Sequence, residues 1–391
     1  MPRGPVLDWS SLLAGDVPAI PSVQDLPHST LVSSGRAAIY QALLALGLPA
    51  GSTVLVPSYH CPTMVAPVVV ARLSAAFFGI RADGLPDLER IDPASASAAK
   101  AMIVSHYFGR SQSLAEVRRW CDQRGVALIE DCAHCFFGQA GERPIGAWGD
   151  FATASLTKFF PVPEGGLLAS SSRALSGLAL NEPGLKAQVK GWLDVLELAT
   201  QYHRLAGLSH LLRPLFWLKN ARRAPPPATP QGTASPSDSM LRDSDMARVS
   251  QAPLWACRVL RALPRGRIIS QRQQNHAGYA RHFSAVHGAR PLFPISATSP
   301  APAAPYVFAL WVDDADRVYQ ALRDQSLPVF RWDRIWPGTP VVAGDQGPLW
   351  SRHVLQLLCH QDLSDADIER TARAILKLLL PHPALTSDAT P

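Results

Sequence analysis

The chain has 391 residues, 47% hydrophobic and 17% charged, with a formal net charge of +6. That length supports two or three domains with real cores, and the composition excludes a disordered chain. The basic excess is scattered, and its one tight pair, Arg222 and Arg223, leads into a proline run, so no nucleic-acid partner is expected. The six cysteines suggest no disulfide framework. Cys132-Ala133-His134-Cys135 matches half of a metal or redox site, but a second ligand pair is missing. Those sulfurs are therefore read as small buried hydrophobes, and no metal is expected. Residues Met1 to Asp8 carry a single Arg with no apolar stretch behind them, and no run of about 20 apolar residues could span a bilayer. A cytoplasmic protein without membrane contact is the expectation.

In chain order, Ala38 to Leu46 reads as a helix with Gly47 as its cap, and Thr53 to Pro57 as a short strand. Met64 to Arg72 is helical and Ala75 to Gly79 a strand. Ala101 to Ser105 is an apolar strand followed by a turn at Gly109. Leu114 to Arg124 is a helix closed by Gly125, and Val126 to Ile129 is a strand that ends in Glu130 and Asp131. Such alternation predicts a parallel sheet with helices on both faces. Gln188 to Leu218 reads as one or two helices, and the Pro-, Thr- and Ser-rich stretch Ala224 to Ser239 as a flexible loop. A helical region from Ser244 to Val286, interrupted at Pro264-Arg265-Gly266, leads to a strand Tyr306 to Val312. Helices over Asp314 to Asp324 and Asp365 to Leu380 follow, and a frayed tail from Pro381.

Three motifs carry chemistry. Ser33-Ser34-Gly35-Arg36 opens the first helix, where small residues and unpaired N–H groups favour an anion and Arg36 adds a charge-assisted donor. An ordinary Ser cap is the alternative there. Leu128-Ile129-Glu130-Asp131-Cys132-Ala133-His134 places an acid at the carboxyl end of a buried strand, where open α/β sheets bind ligands. Glu130 itself reads more simply as a helix-start acid. In the third, Thr153-Ala154-Ser155-Leu156-Thr157-Lys158 precedes Phe159-Phe160-Pro161 and Glu164-Gly165-Gly166. A lysine among apolar and aromatic side chains has a lowered pKa and a nucleophilic amine, and the hydroxyls before it could bind phosphate. Only six lysines occur in the chain, and the other five lie in polar or helical settings. An acid beside a pyridine nitrogen and a desolvated lysine are what a pyridoxal-phosphate (PLP) enzyme requires.

These motifs, in this order, resemble the DegT/DnrJ/StrS family of fold-type I PLP enzymes, mostly nucleotide-sugar aminotransferases. The match runs through SSGRAAIYQALLALG from Ser33, VLVPSYHCPTMV from Val54, VSHYFGR from Val104, ALIEDCAHCFFG from Ala127, PIGAWGDF from Pro144 and SLTKFFPVPEGG from Ser155. The resemblance implies that Lys158 forms the Schiff base with PLP and that Asp131 partners the pyridine nitrogen. It implies that His134 lies against the cofactor and that Gly35 and Arg36 form part of the phosphate site. Thr153, where the family usually has Ser, and Ser155 join the cofactor-binding set. The family's ring-stacking aromatic falls at Cys61, with His60 or Tyr59 as the candidates to stack instead. The Asn and Arg that reach the phosphate from a partner subunit have no evident match near Asp243 to Asp245, where Arg242 is a candidate substitute.

The implied architecture is an α/β fold of type I. A large PLP-binding domain with a mostly parallel sheet spans residues 1–243, and a smaller C-terminal α/β domain spans 244–391. The implied protein is a homodimeric, ping-pong aminotransferase that takes an amino group from a donor such as glutamate to a keto sugar. A PLP enzyme acting on a different keto substrate and a non-catalytic binding or regulatory protein are the alternatives. Sugar dehydration is disfavoured, because relatives of that type replace the lysine with His.

Overall fold

The computed structural model describes residues 1–13, 20–221, 247–294 and 303–380. The proline-rich stretch 224–239, residues 242–245 and the tail from Pro381 lie outside the described residues. Seven strands make the main sheet: β1 (His28–Val32), β2 (Thr53–Pro57), β3 (Ser74–Phe78), β4 (Ala99–Ser105), β5 (Ala127–Asp131), β8 (Phe151–Ser155) and β9 (Gly166–Ser170). A small hairpin, β6 (Gln139–Ala140) with β7 (Arg143–Pro144), stands apart. The order across the sheet is β1-β9-β8-β5-β4-β2-β3. Neighbours from β3 to β8 run parallel, and β9 is antiparallel to both β8 and β1. The parallel strands β2, β4 and β5 are buried along nearly their whole length, as strands covered on both faces must be.

Four helices connect these strands: α1 (Gly35–Ala45), α2 (Pro62–Val70), α3 (Pro93–Ala98) and α4 (Ala115–Arg124). On one sheet face α1 and α2 pack Ala38, Leu43, Met64 and Val65 onto Val54, Val56 and Ile103. On the other, Leu55, Met102, Val104 and Leu128 join a core shared with the C-terminal sheet. Gly125 takes a left-handed conformation at the end of α4, as its position predicts.

The turn from β8 into β9 places the lysine motif against the start of α1. A Cβ on Gly166 would sit 2.1 Å from the carbonyl oxygen of Ser34, so only glycine lets β9 run beside that loop. Gly165, at φ +122°, donates to Ser33 O. The Gly-Gly pair therefore joins the second half of the site to the first.

Beyond β9 the reading of one or two helices resolves into two, α5 (Leu185–Gln201) and α6 (Leu208–Ala221). The long helical region is broken into a 3-10 turn (Ala247–Ser250), α7 (Trp255–Leu260) and α8 (Arg265–His282). The break falls earlier than expected. Pro264 is the N-cap of α8, and Arg265 and Gly266 lie inside that helix, because a proline N-terminal to a helix removes no internal bond. A second, wholly antiparallel sheet contains β10 (Ala289–Pro291), β11 (Val307–Val312), β12 (Val329–Phe330) and β13 (Val354–Leu358) in the order β10-β11-β13-β12. Helices α9 (Ala315–Asp324), α10 (Gly347–His353) and α11 (Asp365–Leu379) accompany it. A capping box between Ser364 and Asp367 starts α11. Among the described residues, no helix is long and apolar enough to cross a membrane.

Candidate active site

The carboxyl ends of β4, β5 and β8 and the amino end of α1 enclose a cavity of about 330 Å3. Ligands bind at this edge of open α/β sheets because strand ends and helix starts present unpaired backbone groups there. Its walls bring together Gly35, Arg36, Asp131, His134, Ser155 and Lys158.

Lys158 ends a single 3-10 turn, Leu156–Lys158, that follows β8 directly. Burial lowers the pKa of its ammonium, and the charge of Asp131 offsets part of that effect. Its Nζ lies 5.0 Å from the ring centroid of Tyr306. Asp131 is the last residue of β5. It accepts hydrogen bonds from Ala133 N (2.9 Å) and Ser105 Oγ (3.3 Å). Burial raises its pKa, and Lys158 and these two donors oppose the rise. In both groups desolvation outweighs the mutual attraction, so burial shifts each towards its neutral form.

His134 sits in the turn after β5. Its Nδ1 accepts from Phe108 N at 3.4 Å, and burial lowers its pKa well below the ordinary histidine value. It is a neutral, flat ring whose centroid lies 4.4 Å from that of Tyr306 and 4.8 Å from that of Trp332. At the start of α1, Ser34 caps the helix by accepting from Ala37 N at 3.2 Å. A Cβ on Gly35 would come within 3.4 Å of the Ser155 side chain. Ser155 Oγ and Thr157 Oγ1 are 3.2 Å apart on the same wall. The start of α1 and these hydroxyls form a cradle suited to a phosphate.

Several expected residues stand elsewhere. Thr153 lies one pleat deeper in β8, is not among the cavity-lining residues, and its buried Oγ1 has no hydrogen-bond partner. The cradle draws its hydroxyls from Ser155 and Thr157 instead. Neither stacking candidate faces the cavity. Tyr59 is buried among Tyr107, Phe108, Trp332 and Trp350. His60 Nδ1 donates to Pro57 O at 2.8 Å and its Nε2 accepts from Trp336 N at 2.8 Å, with burial lowering its pKa to about 4. Cys61, at the N-cap of α2, does line the cavity.

Glu130 is not a helix-start acid. It is fully buried and accepts from Gly146 N, Trp148 N, Gly149 N and His106 Nε2 at 2.8 to 3.2 Å. It thereby ties the loop between β7 and β8 to β5, next to Asp131. Glu130, His106 and Cys132 are close enough together to suggest a metal site. The carboxylate oxygens are already engaged by four donors, and burial raises the Cys132 thiol well above its usual range, both unfavourable to a metal. Cys135 is likewise buried, its thiol pushed up to about 12. Ser105, Tyr306 and Trp332 line the cavity and were not singled out from the sequence. Only Ser105 has a local signal, a small polar residue ending an apolar strand.

The seven-stranded, mostly parallel sheet with its second, antiparallel sheet is an α/β fold of type I. Solved structures agree on the fold. DesI in the presence of its TDP-sugar product superposes with a TM-score of 0.62 at 18% identity, over 91% of this chain and 82% of that one. DesV of S. venezuelae in complex with a ketimine intermediate gives 0.59 at 16%, over 92% and 86%. Residues 23–194 match the family model of the DegT/DnrJ/EryC1/StrS aminotransferase family. The GDP-perosamine synthase of Vibrio cholerae is 29% identical over 174 residues, 43% of this chain and 47% of that protein. The L-glutamine:2-deoxy-scyllo-inosose aminotransferase of Streptomyces kanamyceticus is 29% identical over 154 residues, 39% of this chain and 36% of that protein. Each match thus spans less than half of the relative's length.

Proposed function

We propose that this protein is a PLP-dependent aminotransferase that moves an amino group from an amino-acid donor such as glutamate to a keto sugar. The observation that carries the reading is the buried Lys158–Asp131 pair in one cavity with the α1 cradle. The sugar aminotransferases among the matched relatives support the choice of acceptor.

The residues present fit the cofactor. The cradle of α1, Ser155 and Thr157 suits its phosphate, and Asp131 lacks a hydrogen-bonded cation among the described residues. When bound, PLP supplies an aldehyde that condenses with amines and a protonated ring that withdraws electrons. Asp131 would hold a proton on the ring nitrogen, and that charge would in turn favour the carboxylate against the cost of burial. His134 presents a neutral flat face. Lys158, its ammonium destabilised by burial, offers a free amine for attachment and then serves as the base and acid that moves a proton at the substrate carbon. Homodimeric assembly belongs to the same proposal, as does the division into a large domain, 1–243, and a small one, 244–391. Residues just past that division still lean on the large domain, since Val249 packs beneath α1.

Purified protein mixed with PLP and treated with borohydride should carry the label on Lys158, located by peptide mapping. Glutamate should then convert the bound cofactor and release a keto acid. A label on another lysine, or no uptake of PLP, would sink the proposal.

Arg36 lines the cavity in the first turn of α1, beside the cradle. We assign it to the phosphate. Its fork offers charged donors where a hydroxyl would offer one neutral donor. Arg36→Ala should weaken PLP binding by roughly 1.5–3 kcal/mol, the usual worth of a hydrogen bond to a charged group. Folded yield with excess PLP should stay unchanged. An unaltered affinity in a cofactor titration would return Arg36 to an ordinary position on the helix surface.

A further inference from the structure

We infer that Arg272, acting with Gln361, is a positioning residue that sets the main chain of Lys158 and so aims its amine. The inference rests on the aminotransferase reading above.

Lys158 closes a single 3-10 turn, and the last carbonyls of such a turn have no partner within it. Two side chains from the C-terminal half supply donors. Arg272, on α8, donates through Nη2 to Lys158 O at 2.5 Å. Gln361, just after β13, donates through Nε2 to Phe159 O at 2.9 Å. The two are joined, because Arg272 Nε donates to Gln361 Oε1 at 3.0 Å. The guanidinium also lies over the Phe159 ring, 4.5 Å from its centroid. Successive carbonyls beside the lysine are thus held by one connected pair.

The same guanidinium reaches the opposite wall. Its Nη1 donates to Pro305 O at 3.0 Å, and the next residue, Tyr306, turns its ring towards Lys158 Nζ and His134. One planar group therefore sets the spacing between the lysine's backbone and the aromatic ring that faces its amine. Arg272 is fully buried, and the hydrogen bonds named here go to carbonyl and amide oxygens, none to a carboxylate. A buried charge without a paired anion is costly. A rigid multi-donor fork is the feature that lysine or glutamine could not reproduce at this spot. A simple staple between α8 and the core would predict a uniform loss of stability. A positioning role predicts a loss confined to what Lys158 does.

Arg272→Lys and Gln361→Leu separate the two. The rate at which Lys158 becomes linked to PLP, trapped by borohydride, is compared with the affinity for pyridoxamine phosphate. That molecule has the same ring and phosphate but no aldehyde, so it reports the cavity without the lysine. Linkage should slow about tenfold or more in Arg272→Lys and less in Gln361→Leu, with pyridoxamine phosphate affinity within about twofold of the parent. Turnover should fall through kcat, with KM for the amino donor little changed. Equal weakening of both probes, or unchanged linkage, would overturn the inference. Should Arg272→Lys fail to fold, unchanged linkage in Gln361→Leu overturns it alone. If the parent protein itself never links PLP at Lys158, the aminotransferase reading fails instead.

Discussion

Replacing Lys158 with arginine is expected to abolish PLP linkage and to lower transamination by at least about 10⁴-fold, some 5.5 kcal/mol of barrier. The lysine is useful because burial lowers its pKa and so makes a free amine available. Arginine would fill much of the same space but cannot give up its proton, so it neither condenses with an aldehyde nor acts as a base. Pyridoxamine phosphate should still bind to the variant, since the α1 cradle and Asp131 are untouched. The measurement is a single-turnover half-reaction with glutamate, read beside a pyridoxamine phosphate titration. Residual turnover within about a hundredfold of the parent would mean that another group supplies the proton transfer.

Asp131→Asn is expected to lower turnover on the order of a thousandfold, about 4 kcal/mol, while leaving the fold intact. The amide keeps the shape of the carboxyl. Its oxygen can still accept from Ala133 N, and its NH2 can donate to Ser105 Oγ, which then accepts. What disappears is the negative charge that, in the proposed function, would keep the ring nitrogen of PLP protonated. Stability should move the other way. Burial raises the folded-state pKa of Asp131, so the folded protein holds this proton more tightly than the unfolded chain. A group of that kind contributes stability below its unfolded pKa and loses it as pH rises through the folded value. At neutral pH, without cofactor, burying the Asp131 carboxyl therefore costs stability that asparagine does not cost. The cofactor-free variant should melt no lower than the parent at pH 7. A lower melting temperature together with near-normal turnover would show that Asp131 serves the fold rather than the chemistry.

Much of this protein can be read from neighbouring residues, because the forces that choose local structure act over a few positions. The β2 strand, the α4 helix with its Gly125 cap and the α11 helix lie where composition and spacing place them. Lys158 and Asp131 could be singled out in the same way, since each motif supplies its own apolar surroundings and sits at a strand end. The relation between them is a tertiary fact. They meet because β5 and β8 lie side by side, and because the Gly165-Gly166 turn brings β9 against the start of α1. Which side chains face the cavity was also decided by packing. Thr153 and Ser155 share one face of β8, yet only the residue nearer the strand's end reaches the cavity. His60 and Tyr59, next to Cys61 in sequence, are buried by residues from the C-terminal half, Trp336 for one and Trp332 and Trp350 for the other. Tyr306 and Arg272 carry no local mark at all. Arg272 lies 114 positions from the lysine it supports, and only the docking of α8 and β11 against the turn after β8 makes its charge part of the site. Local periodicity states that α8 has a buried side. What that side touches depends on how the two sheets share one core.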